Sequence, residues 1–139
     1  MIFGFALAAG LALDRPRNDA LRRRIMRALG STSIVAGAAL GLATLRALRA
    51  GGTTANPYRA ATALITGGPF AWTRNPGYVG ATALYVGVAM RANSLPALVL
   101  LPIALALVDR HVVDPEERHL ASVFGDAYAS YRDRVPRWF

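Results

Sequence analysis

Apolar residues follow one another along this chain in four uncharged stretches, and the charged residues cluster between them. The stretches cover residues 1–13, 29–45, 75–90 and 92–108. Each is somewhat shorter than the roughly 20 residues that cross the core of a bilayer, but flanking arginines lengthen a span by extending toward the headgroups. The pattern predicts an all-α integral membrane bundle of about four transmembrane helices, followed by a C-terminal helical segment.

Residues 1–13 are predicted to form the first membrane helix. No positive region precedes the apolar run and the arginines follow it, which is typical of a membrane anchor rather than a signal peptide. Whether this helix crosses the bilayer completely is left open. Residues 14–27 follow as a charged connector, with a short amphipathic helix that begins near Asn18 or Asp19, since both residue types cap helices well.

Residues 29–48 are predicted to form the second helix, which Gly51 and Gly52 end. Gly37 and Gly41 lie four positions apart on this helix. Small residues at this spacing allow a neighbouring helix to approach closely. The glycine pair therefore indicates a helix-packing face.

Two further helices are predicted near the middle of the chain, after a brief helical segment at residues 58–65. Residues 76–90 and 95–108 are apolar, and only four residues connect them. A connection this short makes consecutive helices spatial neighbours, so the two are expected to form an antiparallel hairpin.

The charged residues return after residue 108. Asp114 is predicted to cap a new helix, with Glu117 as the third residue after the cap. Gly125 is predicted to end that helix, and a last helix is predicted to carry Tyr128 and Tyr131 on one side.

Composition and charge agree with a membrane location. The chain has 139 residues, which suits one domain, and with 54% hydrophobic and 17% charged residues it is too apolar for an ordinary soluble domain. A soluble all-α bundle with buried helices is the alternative. The net charge is +8 and every basic residue is an arginine, so we expect contact with anionic lipid headgroups rather than with nucleic acid. Cysteine is absent, which excludes a thiolate nucleophile.

Four spans place residues 49–74 and the C-terminal region on one side of the membrane, and residues 15–27 with Arg91 on the other. Nine arginines then lie on the first side and seven on the second. The positive-inside rule therefore favours a cytoplasmic position of the first side by only a small margin.

The stretch GGPFAWTRNPGYVG at residues 67–80 is the first candidate functional site. It combines turn-forming residues, three aromatic residues and one arginine directly before an apolar run. Backbone breaks and polar side chains at the mouth of a membrane segment are costly unless they line a cavity or take part in chemistry.

The second candidate is the carboxylate pair Glu116 and Glu117. Two adjacent carboxylates suit a cationic ligand group, but acids in the first turn of a helix also cap it and complement its dipole. His111 is a candidate for hydrogen bonding to a ligand, and an interfacial histidine without a special role is the alternative. His111 and His119 do not form a convincing metal set. Because the chain lacks lysine, a Gly-x-Ser-x-Gly elbow and a P-loop, its residues favour a site that binds and orients.

An ordered set of motifs runs from residue 51 to residue 138. The motifs are Gly52-Thr53-Thr54, Leu64-Ile65-Thr66-Gly67-Gly68-Pro69-Phe70, Thr73-Arg74-Asn75-Pro76 with Tyr78 and Gly80, Glu116-Glu117 with Leu120, and Phe124-Gly125 with Tyr128, Tyr131 and Val135-Pro136-Arg137-Trp138. Together they resemble the isoprenylcysteine carboxyl methyltransferase family, in particular its bacterial branch, which is related to the phospholipid methyltransferases. Many members have His at the position of Asn75 and a larger apolar residue at that of Gly77.

The resemblance implies an integral membrane methyltransferase that uses S-adenosylmethionine, in a bacterial inner membrane, with its site and C-terminal helical segment in the cytoplasm. The implied acceptor is lipophilic or lipidated, such as an isoprenylcysteine-type carboxylate or a phospholipid amine. Membrane lipids are the expected partners, and neither a metal nor nucleic acid is expected. The chain is expected to form one domain, with N-terminal membrane helices at residues 1–48 and a cofactor-binding core at residues 49–139.

The resemblance also assigns site residues, to which we add Arg110 and His111. The expected cofactor-binding residues are Asn75, Pro76, Tyr78, Gly80, His111, Glu116 and Glu117. The expected catalytic residues are Arg74, Arg110 and Glu116. Either arginine is expected to orient an anionic acceptor, and Glu116 or Glu117 to hold the amino or ribose end of the cofactor.

Two other functions stay open from the sequence. Sterol and steroid reductases that use NADPH share a similar hairpin and Arg-x-Pro-x-Tyr stretch, but they usually have an acid directly after the glycine, where this chain has Ala81 after Gly80. A non-catalytic membrane scaffold of the same fold is the other possibility. The sequence does not name the methyl acceptor, because apolar helix faces would supply most of its contacts.

Overall fold

The computed structural model describes residues 1–13, 20–52 and 63–138. Within these segments all regular structure is helical, which confirms the predicted all-α class. The described segments contain five α-helices, namely α1 (Ile2–Ala12), α2 (Ala20–Ala50), α3 (Pro76–Arg91), α4 (Leu95–Val108) and α5 (Asp114–Arg134). A 3-10 turn, Gly68–Ala71, precedes α3, and a π-helical turn, Asp109–Val113, joins α4 to α5.

Two helical stretches of the described chain are long and apolar enough to cross a membrane. They are Ala20–Ala50 and Leu95–Arg134, and only 17% and 22% of their most apolar windows are buried within the protein. The core helix of a soluble protein would be largely buried, so these apolar surfaces indicate contact with lipid. Val35 and Ile103, for example, are 69% and 58% exposed. The chain is therefore a membrane helical bundle, and we take its last span to end at Val108, where the charged residues begin.

α2 is longer than the sequence predicts. The expected helix over residues 29–48 and the separate amphipathic helix before it are one continuous helix of 31 residues. No proline interrupts this segment, and Arg, Ala and Leu are strong helix formers, so the arginine-rich part extends the helix. With about 1.5 Å per residue, α2 is about 46 Å long and exceeds the hydrocarbon core. The cap predicted at Asn18 or Asp19 lies outside the described residues.

α2 and α3 pack closely through glycines. Gly30 contacts Gly87 and Gly37 contacts Gly80, so the helices run antiparallel and each presents a glycine at a seven-residue interval. A Cβ atom at Gly37 would come 2.7 Å from the carbonyl oxygen of Gly80. The close approach predicted for Gly37 is confirmed, and its partner is α3. A Cβ atom at Gly41 would meet nothing within 4 Å.

Ser94 joins α1 to the α3–α4 hairpin. Its side-chain oxygen accepts a hydrogen bond from the Ala97 backbone N–H at 3.3 Å, which caps α4, and its hydroxyl donates to the Gly10 carbonyl at 3.2 Å. A Cβ atom at Gly10 would overlap Ala97, so α1 lies directly against α4. The ring of Phe3 lies 6.0 Å from that of Tyr85, measured between centroids. α1 is therefore packed into the bundle.

Arginines lie at the two ends of the bundle in the arrangement that a chain with four spans predicts. At one end, Arg22 donates a hydrogen bond to the Asn93 side chain, and Arg91 donates to the Ser31 hydroxyl. Arg74, which precedes α3, lies at the opposite end and contacts α5. The predicted hairpin of α3 and α4 therefore returns the chain to the end at which α3 begins.

The junction between α4 and α5 differs from the prediction. Asp114 has helical backbone angles, and the helix continues from α4 through the π-turn into α5. The capping predictions for Asp114 and Glu117 are wrong, because the π-turn before α5 is already helical, so Asp114 lies within a continuous helical run, and both carboxylates pair with arginines. Gly125, with φ 48°, interrupts α5 as predicted, since glycine adopts this conformation readily. Of the helix predicted at residues 58–65, residues 63–65 are not helical and the rest lies outside the described chain.

Candidate active site

Hydrogen bonds join the residues just before α3 to the segment that follows α5. The Arg74 backbone N–H donates to the carbonyl of Pro136 at 2.9 Å. The carbonyl of Arg137 accepts from the Thr73 hydroxyl at 2.8 Å and from the Asn75 side-chain amide at 3.3 Å. Thr73 and Asn75 are both buried, so these hydrogen bonds satisfy polar groups that water does not reach. The first candidate stretch therefore meets residues 135–138, which the sequence identified as a family motif but not as part of the site.

A buried ion pair links Arg74 to Glu117 on α5. Arg74 Nε donates to Glu117 Oε1 at 3.0 Å, and Nη2 donates to Oε2 at 3.3 Å. The side chains are only 10% and 12% exposed. Arg74 Nη1 donates to the carbonyls of Arg132 and Val135, each at 3.1 Å. The three nitrogens of this guanidinium thus all have acceptors within the protein.

Arg137 brings three carboxylates to one guanidinium. Its Nη1 lies 2.8 Å from Asp114 and 3.2 Å from Asp109, and its Nη2 lies 2.8 Å from Glu117 Oε2. The hydrogen bond to Glu117 is the main cause of a raised pKa of Arg137, so this side chain stays charged. Glu117 therefore lies between two guanidinium groups, which compensate its burial.

The π-turn explains how Asp109 and Asp114 reach the same partner. Residues five apart on an α-helix point about 140° away from each other. A π-helical turn, with its i→i+5 hydrogen bonds, is wider and rotates less per residue, so residues five apart lie closer to the same side of the helix. The Asp109–Val113 turn therefore puts both carboxylates on the side of the helix where Arg137 lies.

Glu116 faces different partners from its neighbour Glu117. The Tyr78 hydroxyl donates a hydrogen bond to Glu116 Oε2 at 3.3 Å. Desolvation by the surrounding protein raises the pKa of Glu116, although the residue is exposed by its accessible surface, while the hydrogen bond from Tyr78 acts in the opposite direction. The contact joins the first candidate stretch to the second, because Tyr78 lies on α3 and Glu116 on α5.

The other predicted site residues have different surroundings. Pro76 is fully buried at the start of α3, and Gly80 packs against α2, where its added Cβ would lie 3.0 Å from the Gly37 carbonyl. Arg110 and His111 lie in the π-turn and are exposed. The structure therefore brings Arg74, Asn75, Tyr78, Glu116 and Glu117 together and puts Gly80 at a helix contact.

Sequence reasoning missed Arg137 as part of this arrangement. In the sequence, Arg137 appeared only as one residue of the motif at residues 135–138. The acids and arginines after residue 108 are almost equal in number, six against five, and this balance indicates pairing within the segment. Tyr128 and Tyr131 are buried in one apolar cluster, so they share a side of the helix as predicted. The Tyr131 hydroxyl donates to the Phe70 carbonyl at 2.7 Å, which fixes the 3-10 turn.

The fold and the site define a helical membrane protein with an ion-paired polar site at one end of its bundle. The chain belongs to the phospholipid methyltransferase family, whose sequence pattern matches residues 25–127. The resemblance drawn from the motifs is confirmed.

Two curated relatives match part of the chain. The protein-S-isoprenylcysteine O-methyltransferase of Schizosaccharomyces pombe is 34% identical over 73 residues, which cover 52% of this chain and 31% of the relative. The cobalt-zinc-cadmium resistance protein CzcN of Cupriavidus metallidurans is 36% identical over 76 residues, which cover 55% of this chain and 35% of the relative. The chain thus spans about a third of the length of these relatives. No solved structure matches it.

Proposed function

We propose that this protein is a membrane methyltransferase that uses S-adenosylmethionine and transfers a methyl group to a lipophilic acceptor. The observation that carries the proposal is the contact between Tyr78 and Glu116, which joins the two motif halves at one end of the bundle. Membership of the phospholipid methyltransferase family supports the reaction class.

The residues around this contact fit the cofactor. S-adenosylmethionine has a sulfonium cation, an amino-acid group and an adenine ring, so its site needs a carboxylate, polar donors and aromatic surface. Glu116 supplies the carboxylate and Tyr78 supplies the aromatic ring with a hydroxyl. Glu116 is exposed to solvent, so a ligand can reach its carboxylate.

We assign different tasks to the two glutamates. Glu116 holds the cationic or ribose part of the cofactor, while Glu117 is occupied by Arg74 and Arg137 and fixes the orientation of α5. Asn75 is buried and its side-chain amide donates to the Arg137 carbonyl, so in this proposal it frames the cofactor site through its position. His111, exposed in the π-turn, completes the cofactor contacts.

The bound cofactor supplies an already activated methyl group. The protein's own residues then have to position the acceptor and exclude water, and no covalent intermediate is required. Arg74 donates to Glu117 and to two carbonyls, so we propose that it acts as a positioning residue. Arg110 is exposed on the neighbouring π-turn and is better placed to orient an anionic acceptor.

The acceptor enters from the membrane in this proposal. The exposed apolar faces of α2 and α4 suit a lipid or a lipidated molecule, and Arg110 suits a carboxylate on it. An isoprenylcysteine-type carboxylate and a phospholipid amine are the two acceptor classes. The site faces the cytoplasm of a bacterial inner membrane in this proposal.

The cofactor assignment is tested by equilibrium binding of labelled S-adenosylmethionine to the full chain in lipid nanodiscs. Glu116→Gln is expected to weaken the affinity about tenfold or more, since a hydrogen-bonded charge contributes on the order of 2 kcal/mol. Asp133→Asn, an exposed carboxylate on the same helix, is the matched control and should bind like the wild type. Unchanged affinity in Glu116→Gln would reject the Glu116 assignment, and no binding by the wild type would favour a non-catalytic scaffold.

The acceptor is identified by incubating the protein with labelled cofactor and a total lipid extract. Label in a lipid amine supports the phospholipid branch of the proposal, and a base-labile methyl ester on an isoprenylcysteine supports the other. Oxidation of NADPH with a sterol, without methyl transfer, would instead support the reductase alternative.

A further inference from the structure

We propose that Arg137 is the positioning residue that fastens α5 to the start of α3 and so sets the arrangement of Tyr78 and Glu116. The inference rests on the proposed function, because Tyr78 and Glu116 are the groups to which that function assigns the cofactor. Arg137 itself touches neither of them, and it acts through the elements that carry them.

Arg137 contacts both halves of the site through different groups. Its guanidinium binds Asp109, Asp114 and Glu117 on the π-turn and the first turn of α5. Its backbone carbonyl accepts two hydrogen bonds from the residues that precede α3, at 2.8 Å from the Thr73 hydroxyl and at 3.3 Å from the Asn75 amide. One residue thus connects the two candidate stretches that the sequence placed far apart.

The charges around Arg137 require a cation at this position. Asp109, Asp114 and Glu117 converge on one guanidinium, and their side chains are 38%, 34% and 12% exposed. Without Arg137, the carboxylates would repel one another, and within the described part of the chain only Glu117 would keep an arginine, Arg74. Repulsion among these three groups would move the π-turn and the first turn of α5 away from one another.

The π-turn determines how the loss of Arg137 would displace Glu116. A π-helical turn is rare and less favourable than an α-helical one, so it persists where its side chains have partners that need it. Loss of Arg137 removes the shared partner of Asp109 and Asp114, and the turn can then return to α-helical geometry. That change rotates every residue after it, including Glu116, relative to α3.

The test compares Arg137→Gln and Arg137→Lys with Arg134→Gln in the full chain in nanodiscs. Arg134 is an exposed arginine three positions earlier and is not part of the site, so it controls for the loss of one positive charge. The first readout is hydrogen exchange in peptides covering residues 67–80, which include the Arg74 amide that donates to Pro136. The second is the KM for S-adenosylmethionine, measured separately from kcat.

We expect Arg137→Gln to speed exchange at the start of α3 and to raise the KM about tenfold, with a much smaller change in kcat. Arg137→Lys keeps the charge but not the planar fork, so it should restore part of both effects. If Arg137→Gln does not fold, the comparison of Arg137→Lys with the wild type provides the test. Arg134→Gln should match the wild type in both readouts.

Unchanged exchange and an unchanged KM in Arg137→Gln and in Arg137→Lys would overturn the proposal. Faster exchange with an unchanged KM would overturn it as well, because Arg137 would then be structural only. A wild type that binds no S-adenosylmethionine would overturn the proposed function and, with it, the role of Arg137 in cofactor binding. The exchange data would still decide whether Arg137 holds the two elements together.

Discussion

Arg74 and Glu117 are 43 positions apart in the chain, yet two hydrogen bonds of 3.0 Å and 3.3 Å join the guanidinium to the carboxylate. The pair connects the segment that precedes α3 to the first turn of α5 and is almost fully buried. Because Glu117 is occupied in this way, the adjacent Glu116 is the carboxylate that turns toward Tyr78. The roles of two neighbouring glutamates thus follow from one ion pair.

Replacing Arg74 should destabilise the fold strongly. Arg74→Gln removes two hydrogen bonds to a buried carboxylate and two to backbone carbonyls, so we expect the free energy of unfolding to fall by about 3 kcal/mol. Reversible unfolding in mixed detergent micelles, followed by circular dichroism, measures this. Arg134→Gln should change the value by less than about 0.5 kcal/mol. Equal stability of the two variants would contradict the structural role of the pair.

The glycine contact between α2 and α3 predicts opposite results at two neighbouring glycines. Gly37→Ala puts a methyl group 2.7 Å from the Gly80 carbonyl oxygen, a backbone atom that cannot yield, so we expect a loss of about 1–3 kcal/mol. Gly41→Ala meets nothing within 4 Å and should be neutral or slightly stabilising, since alanine favours helix. Reversible unfolding in mixed detergent micelles measures the free energy of unfolding of both variants. Similar losses at both positions would show that the two helices do not meet as described.

Ser94 provides a test of how α1 is held. Ser94→Ala removes the cap of α4 and leaves the Gly10 carbonyl without its donor, so we expect a loss of about 2 kcal/mol. Ser122→Ala is the matched control, because that exposed hydroxyl contacts only a carbonyl of its own helix. Protease accessibility of residues 1–13 should increase in Ser94→Ala alone. Equal accessibility in both variants would argue against anchoring through Ser94.

The pH dependence of cofactor binding should follow Glu116. Desolvation by the surrounding protein raises its pKa, so the carboxyl stays protonated at a pH at which a fully solvated glutamate is already ionised. Only the ionised form attracts a cation, and affinity for S-adenosylmethionine should therefore rise as the pH increases through this raised pKa. Glu116→Gln should remove this rise, as isothermal titration at several pH values will show. A rise that persists in Glu116→Gln would assign the titration to another group.

The same raised pKa has the opposite effect on stability. A carboxyl whose folded-state pKa is above its unfolded value binds its proton more tightly in the folded protein. Its contribution to stability is complete below the unfolded pKa and is lost as the pH rises through the folded value. The free energy of unfolding without cofactor should therefore decline over this range in the wild type and less so in Glu116→Gln.

Much of the secondary structure could be predicted because it depends on local pattern. The apolar run predicted α4 over residues 95–108, which are its observed bounds, and Gly125 marked the bend in α5. The failures occurred where a local rule competed with distant partners. Asp114 has the residue type and position of a cap, but Arg137 binds its carboxylate and the chain stays helical through it.

By itself, the sequence determined the all-α class, the membrane location, the family motifs and the candidate stretch at residues 67–80. These follow from composition, hydrophobic runs and residue order, which do not depend on where distant segments meet. Only the tertiary structure decided that Glu116 faces Tyr78 while Glu117 lies between Arg74 and Arg137. The physical reason is that ion pairing and the π-turn depend on side chains from separate helices, and their spacing along the chain does not encode which of them meet.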